Sequence, residues 1–395
     1  MKMAQFDQLI SRRNTNSIKW DSIATTYKKS DLLPLWIADM DFKAPQAVQD
    51  ALQAFVQQGI FGYTLAPETL YQAIIDWQRT RHHYHLEKAD ILFNSGVVPS
   101  IAASIQAYTE MTDAVLINNP VYPPFAATVK GARRTLIQSP LLEEAGQFRF
   151  DFADMEEKII EHHVKLFILC NPHNPGGRVW TKEELRTLGH LCQKHQVLVV
   201  SDEIHQDLVF PSHQFHSFQT IQPDFSDFSI ILAAPTKTFN LAGIKHSMLF
   251  IKNPILRQKM TALQEQAHLP EMNTFGYIAT EAAYTDGHAW LDELLIYLKA
   301  NEEFAFAYFT QHLPHVRVMR PEGTYLMWLD FSAYGLSDQT IQHILLDDAG
   351  VVLNNGATFG TLGNQHVRLN IACPKTTLAT ALDKICRAFA SYEQN

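Results

Sequence analysis

The sequence predicts an α/β fold in which a mostly parallel, seven-stranded sheet is covered by helices and joined to a smaller α+β domain. Short apolar runs recur through the middle of the chain, and helical patterns separate many of them. The runs lie at residues 91–93, 114–117, 134–137, 166–170, 197–200, 229–233 and 248–251. Their continuous apolar character is typical of strands that are buried on both faces.

Start and stop signals for helices support this interpretation. Apolar side chains at positions 47, 48, 51, 52, 55 and 56 form one stripe, which Pro45 precedes and Gly59 follows. Thr181 and Glu184 have the spacing of a capping box, which predicts a helix that continues to about residue 195. The connection between the last two runs is too short for an easy helical crossover, so we expect these two strands to be antiparallel.

The pattern changes after about residue 287, which suggests a second domain. A long helix at 289–311 is followed by a strand at 324–329, a helix at 337–348, a strand at 366–371 and a final helix. The first 45 residues have no strong strand pattern and are expected to pack against these elements. We therefore predict a large domain at 46–287 and a small domain formed by 1–45 and 288–395.

Composition narrows the range of functions. The 395 residues are 46% hydrophobic, which excludes a disordered chain. The net charge of −9 lacks the basic excess of a duplex-binding protein, so no nucleic-acid partner is expected. Cysteines are sparse, and the N-terminus has no apolar region typical of a secretory signal. No apolar run approaches the ~20 residues that a membrane span needs. We therefore expect a cytoplasmic protein that does not contact a membrane.

The candidate chemistry lies at the ends of predicted strands, where open α/β sheets bind their ligands. Four strands are followed there by polar or glycine-containing segments, at residues 94–100, 171–177, 201–205 and 235–243. Together they supply a helix start, amides, a carboxylate and a lysine. An aldehyde cofactor with a phosphate and a ring nitrogen needs a lysine amine, an acid for the nitrogen and a helix N-terminus for the phosphate.

These motifs also resemble a known family. The order N-P-x-N-P-G-G, S-D-E-I-H and A-P-T-K-T-F-N-x-A-G resembles the fold-type-I pyridoxal-phosphate enzymes of the class I/II aminotransferase superfamily. The resemblance covers nearly the whole chain and implies a large domain like that of aspartate aminotransferase. The segments L-W-I-A-D-M-D-F at 35–42, F-G-Y-T at 61–64 and G-V-V-P at 96–99, with Pro67, Glu68 and Trp77, are similar to the cystathionine β-lyases and related C–S lyases.

The resemblance implies a role for each of several residues around a pyridoxal 5'-phosphate cofactor. Lys237 matches the lysine that forms the Schiff base and moves protons. Asp202 matches the acid that pairs with the pyridine nitrogen, and Asn174 the donor to the phenolic oxygen. Tyr122 matches the aromatic ring stacked on the pyridine, and with Lys237 it is the predicted catalytic pair.

The phosphate and the substrate have their own predicted residues. The backbone N–H groups of Val97 and Val98 would bind the phosphate with Lys245, which offers a point charge where many aminotransferases have an arginine fork. Tyr63 aligns with a tyrosine that reaches the neighbouring subunit's phosphate, which implies a homodimer with shared sites. Arg368 matches the arginine that grips the α-carboxylate of an amino-acid substrate.

The resemblance implies β-elimination at the carbon–sulfur bond of cystathionine or related cysteine derivatives, giving thiol, pyruvate and ammonia. Transfer of an amino group to a 2-oxoacid is the alternative. His205 favours the lyase, since many aminotransferases have tyrosine at that position. Whether His205 touches the cofactor or orients its neighbours stays open, and so does a regulatory role through a transcription factor, which some relatives of this branch have.

Other enzyme classes lack their motifs in this chain. There is no G-x-G-x-x-G, no G-x-x-x-x-G-K-[ST] and no H-E-x-x-H. Histidines cluster at 82, 83 and 85 and at 213 and 216. The first cluster follows two arginines at a predicted helix end, where cationic side chains suit the dipole, so no metal site is expected.

Overall fold

The computed structural model describes residues 5–269 and 273–392, which form two sheets and a short strand pair. The strands are β1 Leu33–Pro34, β2 Ile91–Asn94, β3 Ala114–Asn119, β4 Thr135–Glu144, β5 Gln147–Phe150, β6 Leu166–Cys170, β7 Leu198–Asp202, β8 Ser229–Ala233, β9 Ser247–Phe250, β10 Arg317–Met319, β11 Leu326–Asp330, β12 Val351–Val352, β13 Asn354–Asn355 and β14 His366–Asn370.

The helices lie mainly between these strands and after them. They are α1 Ile18–Asp21, α2 Ile23–Tyr27, α3 Gln46–Gln58, α4 Glu68–His82, α5 Val97–Tyr108, α6 Pro124–Gly131, α7 Phe152–Glu161, α8 Lys182–Lys194, α9 Pro235–Thr238, α10 Pro254–Gln266, α11 Thr274–Asp286, α12 His288–His312, α13 Asp338–His343 and α14 Lys375–Phe389. Over the described residues, no helix has both the length and the apolar character needed to cross a membrane.

The large sheet has eight strands in the order β2-β9-β8-β7-β6-β3-β4-β5. The pairs from β8 through β7, β6 and β3 to β4 are parallel, and β9 is antiparallel to both β8 and β2. The predicted α/β fold and the predicted antiparallel pair are therefore confirmed. The strand count is one higher than the predicted seven, because β5 folds back on β4 as an antiparallel hairpin. With only four residues and an exposed Arg149, β5 lacks the continuous apolar pattern of the others.

The large sheet is buried on both faces. Along β7, Val199 packs into one apolar cluster and Val200 into the other. Leu116 and Ile117 of β3 divide in the same way. Polar side chains with a function are thereby restricted to the ends of the strands, where the backbone leaves the sheet.

The smaller sheet has the order β10-β11-β14-β13 and is antiparallel, while β1 pairs in parallel with β12. Its strands lie inside the predicted small domain, although the domain limits at 45/46 and 287/288 stay a prediction. The predicted helix at 337–348 is α13 followed by a π-helical turn, Ile344–Asp348. The predicted strand at 324–329 begins at Leu326, because Thr324 has a φ of 68°.

Two helix boundaries confirm the sequence signals. Thr181 Oγ1 accepts the N–H of Glu184 at 3.2 Å, and Glu184 Oε2 accepts the N–H of Thr181 at 2.8 Å, which completes the capping box of α8. Helix α3 begins after Pro45 and ends just before Gly59, whose φ is 70°. Only Val48 of the apolar stripe is fully buried, and Val56 is 50% exposed.

Helix α8 also contains a glycine that close packing requires. A Cβ at Gly189 would lie 2.0 Å from Cε2 of the buried Phe225. We expect Gly189→Ala to destabilise the protein by about 1–3 kcal/mol, because overpacking outweighs the better helix propensity of alanine. Urea denaturation measures the change. Gly131→Ala is the matched control, since a Cβ at this last residue of α6 meets no atom within 4 Å. Equal midpoints for the two variants would contradict this assignment.

Candidate active site

A cavity of about 410 Å³ lies where the strands of the large sheet end. Its wall includes the predicted residues Val97, Val98, Tyr122, Asn174, Asp202, His205, Lys237, Lys245 and Arg368. Segments that follow β2, β6, β7 and β8 supply most of them, and β14 of the smaller sheet supplies Arg368. The structure thus brings together all of the predicted site residues except Tyr63.

Lys237 lies in α9, the short helix that directly follows β8. Its Nζ donates a hydrogen bond to the carbonyl oxygen of Ala38 at 2.6 Å. Burial, assisted by the positive charge of Arg368, lowers the pKa of Lys237 to about 8, against the opposing effect of Asp39 and Asp202. More of the amine is therefore neutral near physiological pH than in an ordinary lysine, although the charged form still predominates, and a nucleophile or a base requires the neutral form.

Asp202 is the last residue of β7 and is buried. Its Oδ1 accepts the backbone N–H of Ile204 at 3.1 Å. Burial raises the pKa of Asp202 to about 7, although that hydrogen bond and the charge of Lys237 act in the opposite direction. A cationic ring nitrogen placed against this carboxylate would favour its charged form. The surroundings of Asp202 thus suit a carboxylate whose negative charge is stabilised by a positively charged ligand.

Arg368 has neutral hydrogen-bond acceptors. Its Nη1 donates to Asn174 Oδ1 at 2.8 Å, and its Nη2 donates to the carbonyl of Trp36 at 2.9 Å and to Asn354 Oδ1 at 2.6 Å. Its buried Nε has no hydrogen-bond partner among the described residues. Burial lowers the pKa of Arg368 to about 10. A ligand carboxylate would supply the negative charge that a buried guanidinium favours.

The part of the cavity wall formed by the start of α5 suits a phosphate. Val97 and Val98 are the first residues of α5, a helix of 12 residues whose N-terminus opens on the cavity. The N–H groups of a first helical turn have no partner within the helix, and the dipole favours an anion there. Thr236 and Lys245 line the same cavity. This donor set fits a phosphate group.

Two neutral ring side chains complete the wall. Burial raises the pKa of the Tyr122 phenol, which therefore stays protonated. Burial also lowers the pKa of His205 to about 3, so its imidazole is neutral. The His205 ring lies 6.0 Å from the ring of Tyr325, and its Nδ1 has no partner in the described part of the chain. His205 borders the cavity, and its contact with a cofactor stays a prediction.

The sequence did not single out Ala38, Asn354 or Tyr325. Ala38 contributes a backbone carbonyl, and any residue has one. Asn354 reaches Arg368 from β13, and Tyr325 precedes β11, so both approach through the packing of the smaller sheet. The only available signal was the segment 35–42, which contains Ala38 and already carried part of the family resemblance.

Tyr63 lies apart from the cavity of its own chain. It belongs to the segment between α3 and α4, and its side chain is fully exposed. Three nearby apolar residues are exposed as well: Ile60 by 77%, Phe61 by 62% and Leu65 by 87%. We call residues 60–65 the apolar arm. Its surface is typical of an interaction site.

Comparison with known proteins gives a consistent result. The model of the family "Aminotransferase class I and II" matches residues 30–385. Cystathionine beta-lyase PatB of Bacillus subtilis is 42% identical over 385 residues, which cover 98% of this chain and 100% of that protein. A pyridoxal-phosphate-bound protein from Clostridium difficile 630, named as a candidate aminotransferase, superposes with a TM-score of 0.95 at 41% identity, covering 97% of this chain and 99% of the other.

A pyridoxal-phosphate-bound C–S lyase from Staphylococcus hominis has a TM-score of 0.90 at 31% identity, with 97% of this chain and 98% of that chain covered. The family model spans most of the chain, and the identity to the Bacillus protein extends over nearly all of it. The cavity is lined by residues from the sequence motifs that resemble that family. The chain therefore belongs to the class I and II aminotransferase family.

Proposed function

We propose that the protein is a pyridoxal 5'-phosphate-dependent lyase that cleaves the bond between Cβ and sulfur in cystathionine or related cysteine derivatives and, with the uptake of one water molecule, gives a thiol, pyruvate and ammonia. The observation that carries the proposal is one cavity that combines the Lys237 amine, the Asp202 carboxyl and the Arg368 fork. The similarity to the cystathionine beta-lyase of Bacillus subtilis and to a C–S lyase supports this choice of reaction.

The residues of the cavity fit the cofactor. Asp202 would hold the pyridine nitrogen, and the amide of Asn174, whose oxygen is bound to Arg368, has its nitrogen to donate to the ring oxygen. The start of α5 and Lys245 would hold the phosphate, while Tyr122 would cover a face of the ring. When bound, this cofactor supplies an electron sink for the bonds at the Cα of an amino acid.

The chain's own residues then perform three tasks. Arg368 binds the α-carboxylate of the substrate and fixes its orientation. Lys237, with a pKa of about 8, takes the proton from Cα, after which a thiolate leaves Cβ. Asp202 keeps the ring nitrogen protonated, because a buried cation and carboxylate stabilise each other's charge. Arg368 and Asp202 are buried, so water competes little for these contacts.

The alternative reaction is transamination. It would use the same residues and the same cofactor, but the amino group would pass to a 2-oxoacid acceptor and the bond between Cβ and sulfur would stay intact. The family itself and the Clostridium difficile relative are consistent with it. His205, which stands where many aminotransferases have tyrosine, favours the lyase.

Product analysis distinguishes the two reactions. We expect the holoenzyme to release pyruvate and a thiol from cystathionine when no 2-oxoacid is present. Lys237→Ala should abolish the reaction, since it removes the base, and borohydride should attach the cofactor to Lys237 in the wild-type protein. A requirement for added 2-oxoacid would instead establish the aminotransferase, and a label on another lysine would refute the assignment of Lys237.

The carboxylate contact is tested at Arg368. Breaking a buried charge pair costs ~3–5 kcal/mol, so Arg368→Ala should lower kcat/KM by about 10²–10³ or more. Arg368→Lys should recover only part of this loss, because the planar fork is missing. The visible absorption of the bound cofactor serves as the control for folding. Near-normal kcat/KM in Arg368→Ala would assign the carboxylate to another residue.

We also propose a homodimer in which Tyr63 of each subunit reaches the phosphate of the other. The exposed apolar arm and the exposed Val56 of α3 support a second copy as the partner, because a C2 interface buries the same surface on both subunits. The Tyr63 hydroxyl would then bind a charged phosphate, and such a hydrogen bond contributes ~1.5–3 kcal/mol.

Complementation tests the shared site. Tyr63→Phe should weaken cofactor binding, and mixing its subunits with those of Lys237→Ala should form hybrid dimers. Each hybrid has one site with both defects and one wild-type site, so activity should exceed the sum of the separate variants. Tyr71→Phe, a nearby tyrosine on α4, gives a control in which no such effect is expected. A fully active monomer by light scattering would end the proposal.

A cytoplasmic location remains a proposal. It rests on the cysteines, since Cys170, Cys192, Cys373 and Cys386 form no disulfide bond in the structure. Disulfide bonds are rare in the reducing cytoplasm.

A further inference from the structure

A backbone segment beside the cavity is held almost entirely by side chains. We call residues 36–40 the carbonyl segment, because each of its five carbonyl oxygens accepts a side-chain hydrogen bond. The donors are Arg368 to Trp36, Asn370 to Ile37, Lys237 and Tyr325 to Ala38, Asn370 and Lys19 to Asp39, and Asn240 and Arg12 to Met40. The segment therefore contacts both the cofactor lysine and the substrate arginine.

Asn370 stands at the centre of this arrangement. Its Nδ2 donates to the carbonyls of Ile37 and Asp39, at 2.7 Å each. The N–H of Asp39 donates to the carbonyl of Ile37 at 2.9 Å, which closes a three-residue turn around Ala38. The carbonyl of Ala38 takes no part in that turn. It accepts Lys237 Nζ at 2.6 Å and the hydroxyl of Tyr325 at 3.0 Å.

The position of Asp39 is fixed as well. Arg12 donates to Asp39 Oδ1 at 3.0 Å and to Oδ2 at 2.8 Å, and the buried Lys19 Nζ lies 3.6 Å from Asp39 Oδ1. Arg12 and Lys19 also bind Asp41, so two cations and two carboxylates anchor the turn from one side. Asn370 anchors it from the other side, in the smaller sheet.

Charged groups face the Lys237 amine from three elements. Asp202 approaches from β7, Arg368 from β14, and Asp39 from the carbonyl segment. The other titratable side chains on the cavity wall are Tyr122, Cys170, His205, Lys245 and His246. The hydrogen bond of Lys237 Nζ is made to a backbone group, the carbonyl of Ala38, and not to one of these side chains.

We propose that Asn370 is a positioning residue for Lys237. By holding the turn at Ala38, Asn370 places a carbonyl oxygen that orients the lysine amine and favours its charged form whenever the amine is free of the cofactor. Asn370 acts through the backbone, since it is not among the residues that line the cavity. The proposal rests on the proposed function only in that Lys237 is the lysine that serves the cofactor.

The sign of the effect follows from the hydrogen bond. A carbonyl that accepts from an ammonium stabilises its charged form, so losing this acceptor lowers the pKa of the lysine. In Asn370→Ala the turn loses both of its side-chain contacts to Nδ2, and the Ala38 oxygen moves away from Nζ. The free Lys237 amine should then lose its proton at lower pH than in the wild type.

The experiment measures acylation of Lys237 in the full-length protein after removal of the cofactor. Trace acetic anhydride is applied across a pH series, and mass spectrometry quantifies the label on Lys237. We expect the midpoint in Asn370→Ala to fall by about one pH unit. In the reconstituted enzyme we expect turnover to fall about tenfold or more, because the base is misplaced.

Asn301→Ala is the matched control. Asn301 is equally buried, and its Nδ2 also bridges two carbonyls, those of Ile371 and Cys373, at 2.9 Å each. Its loss should destabilise the fold to a similar degree and leave the Lys237 midpoint unchanged. A shift of equal size in both variants, or in neither, overturns the proposal. The labelling requires no substrate, so failure of the proposed lyase reaction would leave its result unaffected.

A second variant keeps the proposal testable if Asn370→Ala does not fold. Tyr325→Phe retains the ring and removes only the hydroxyl that shares the Ala38 oxygen with Lys237. Lys237 is then the remaining side-chain donor to the Ala38 oxygen, so the pH midpoint of Lys237 acylation should rise. An unchanged or lowered midpoint in Tyr325→Phe would show that the Ala38 carbonyl does not control the charge of Lys237.

Discussion

The site depends on the desolvation of three charged groups, two from the strand ends of the large sheet and one from the smaller sheet. Burial raises the pKa of Asp202 to about 7 and lowers those of Lys237 and Arg368 to about 8 and 10, so each charged form is disfavoured by its position. A cationic ring nitrogen beside Asp202 and a carboxylate beside Arg368 would offset this cost. The bound cofactor and substrate would therefore supply the opposite charges that these buried side chains lack. For this reason cofactor binding should stabilise the folded protein.

The architecture explains why these charges come from distant parts of the sequence. Both faces of the large sheet are apolar, so polar groups collect where strands end. Asp202 ends β7 and Lys237 follows the neighbouring parallel strand β8, whereas Arg368 lies in the smaller sheet. Residues 36–40 connect these two sources, because their carbonyls bind both Lys237 and Arg368. The relative position of the two sheets thus sets the distance between base and carboxylate-binding group.

Residues that follow a predictable strand could be identified from the sequence. Lys237 lies shortly after β8 and Asp202 is the last residue of β7, and the apolar runs in the sequence predict that both strands are buried. The hairpin strand β5 was not predicted from the sequence, because Arg149 interrupts its apolar character. The contact of Lys237 with Ala38 could not be predicted either. Every residue has a backbone carbonyl, and which of them contacts the amine depends on the packing of the folded chain. The contact of Asn354 with Arg368 also has no sequence signal, because it depends on the pairing of β13 with β14.

The apolar arm shows how one segment connects folding and function in the proposed dimer. Ile60, Phe61 and Leu65 expose apolar surface that would favour a partner surface over water. Tyr63 lies among them and has no place on the cavity wall of its own chain. If the same surface that drives association also delivers the Tyr63 hydroxyl, a subunit alone lacks a phosphate ligand. Dimerisation would then be linked to cofactor affinity, because a ligand that binds the dimer more tightly shifts the equilibrium toward it.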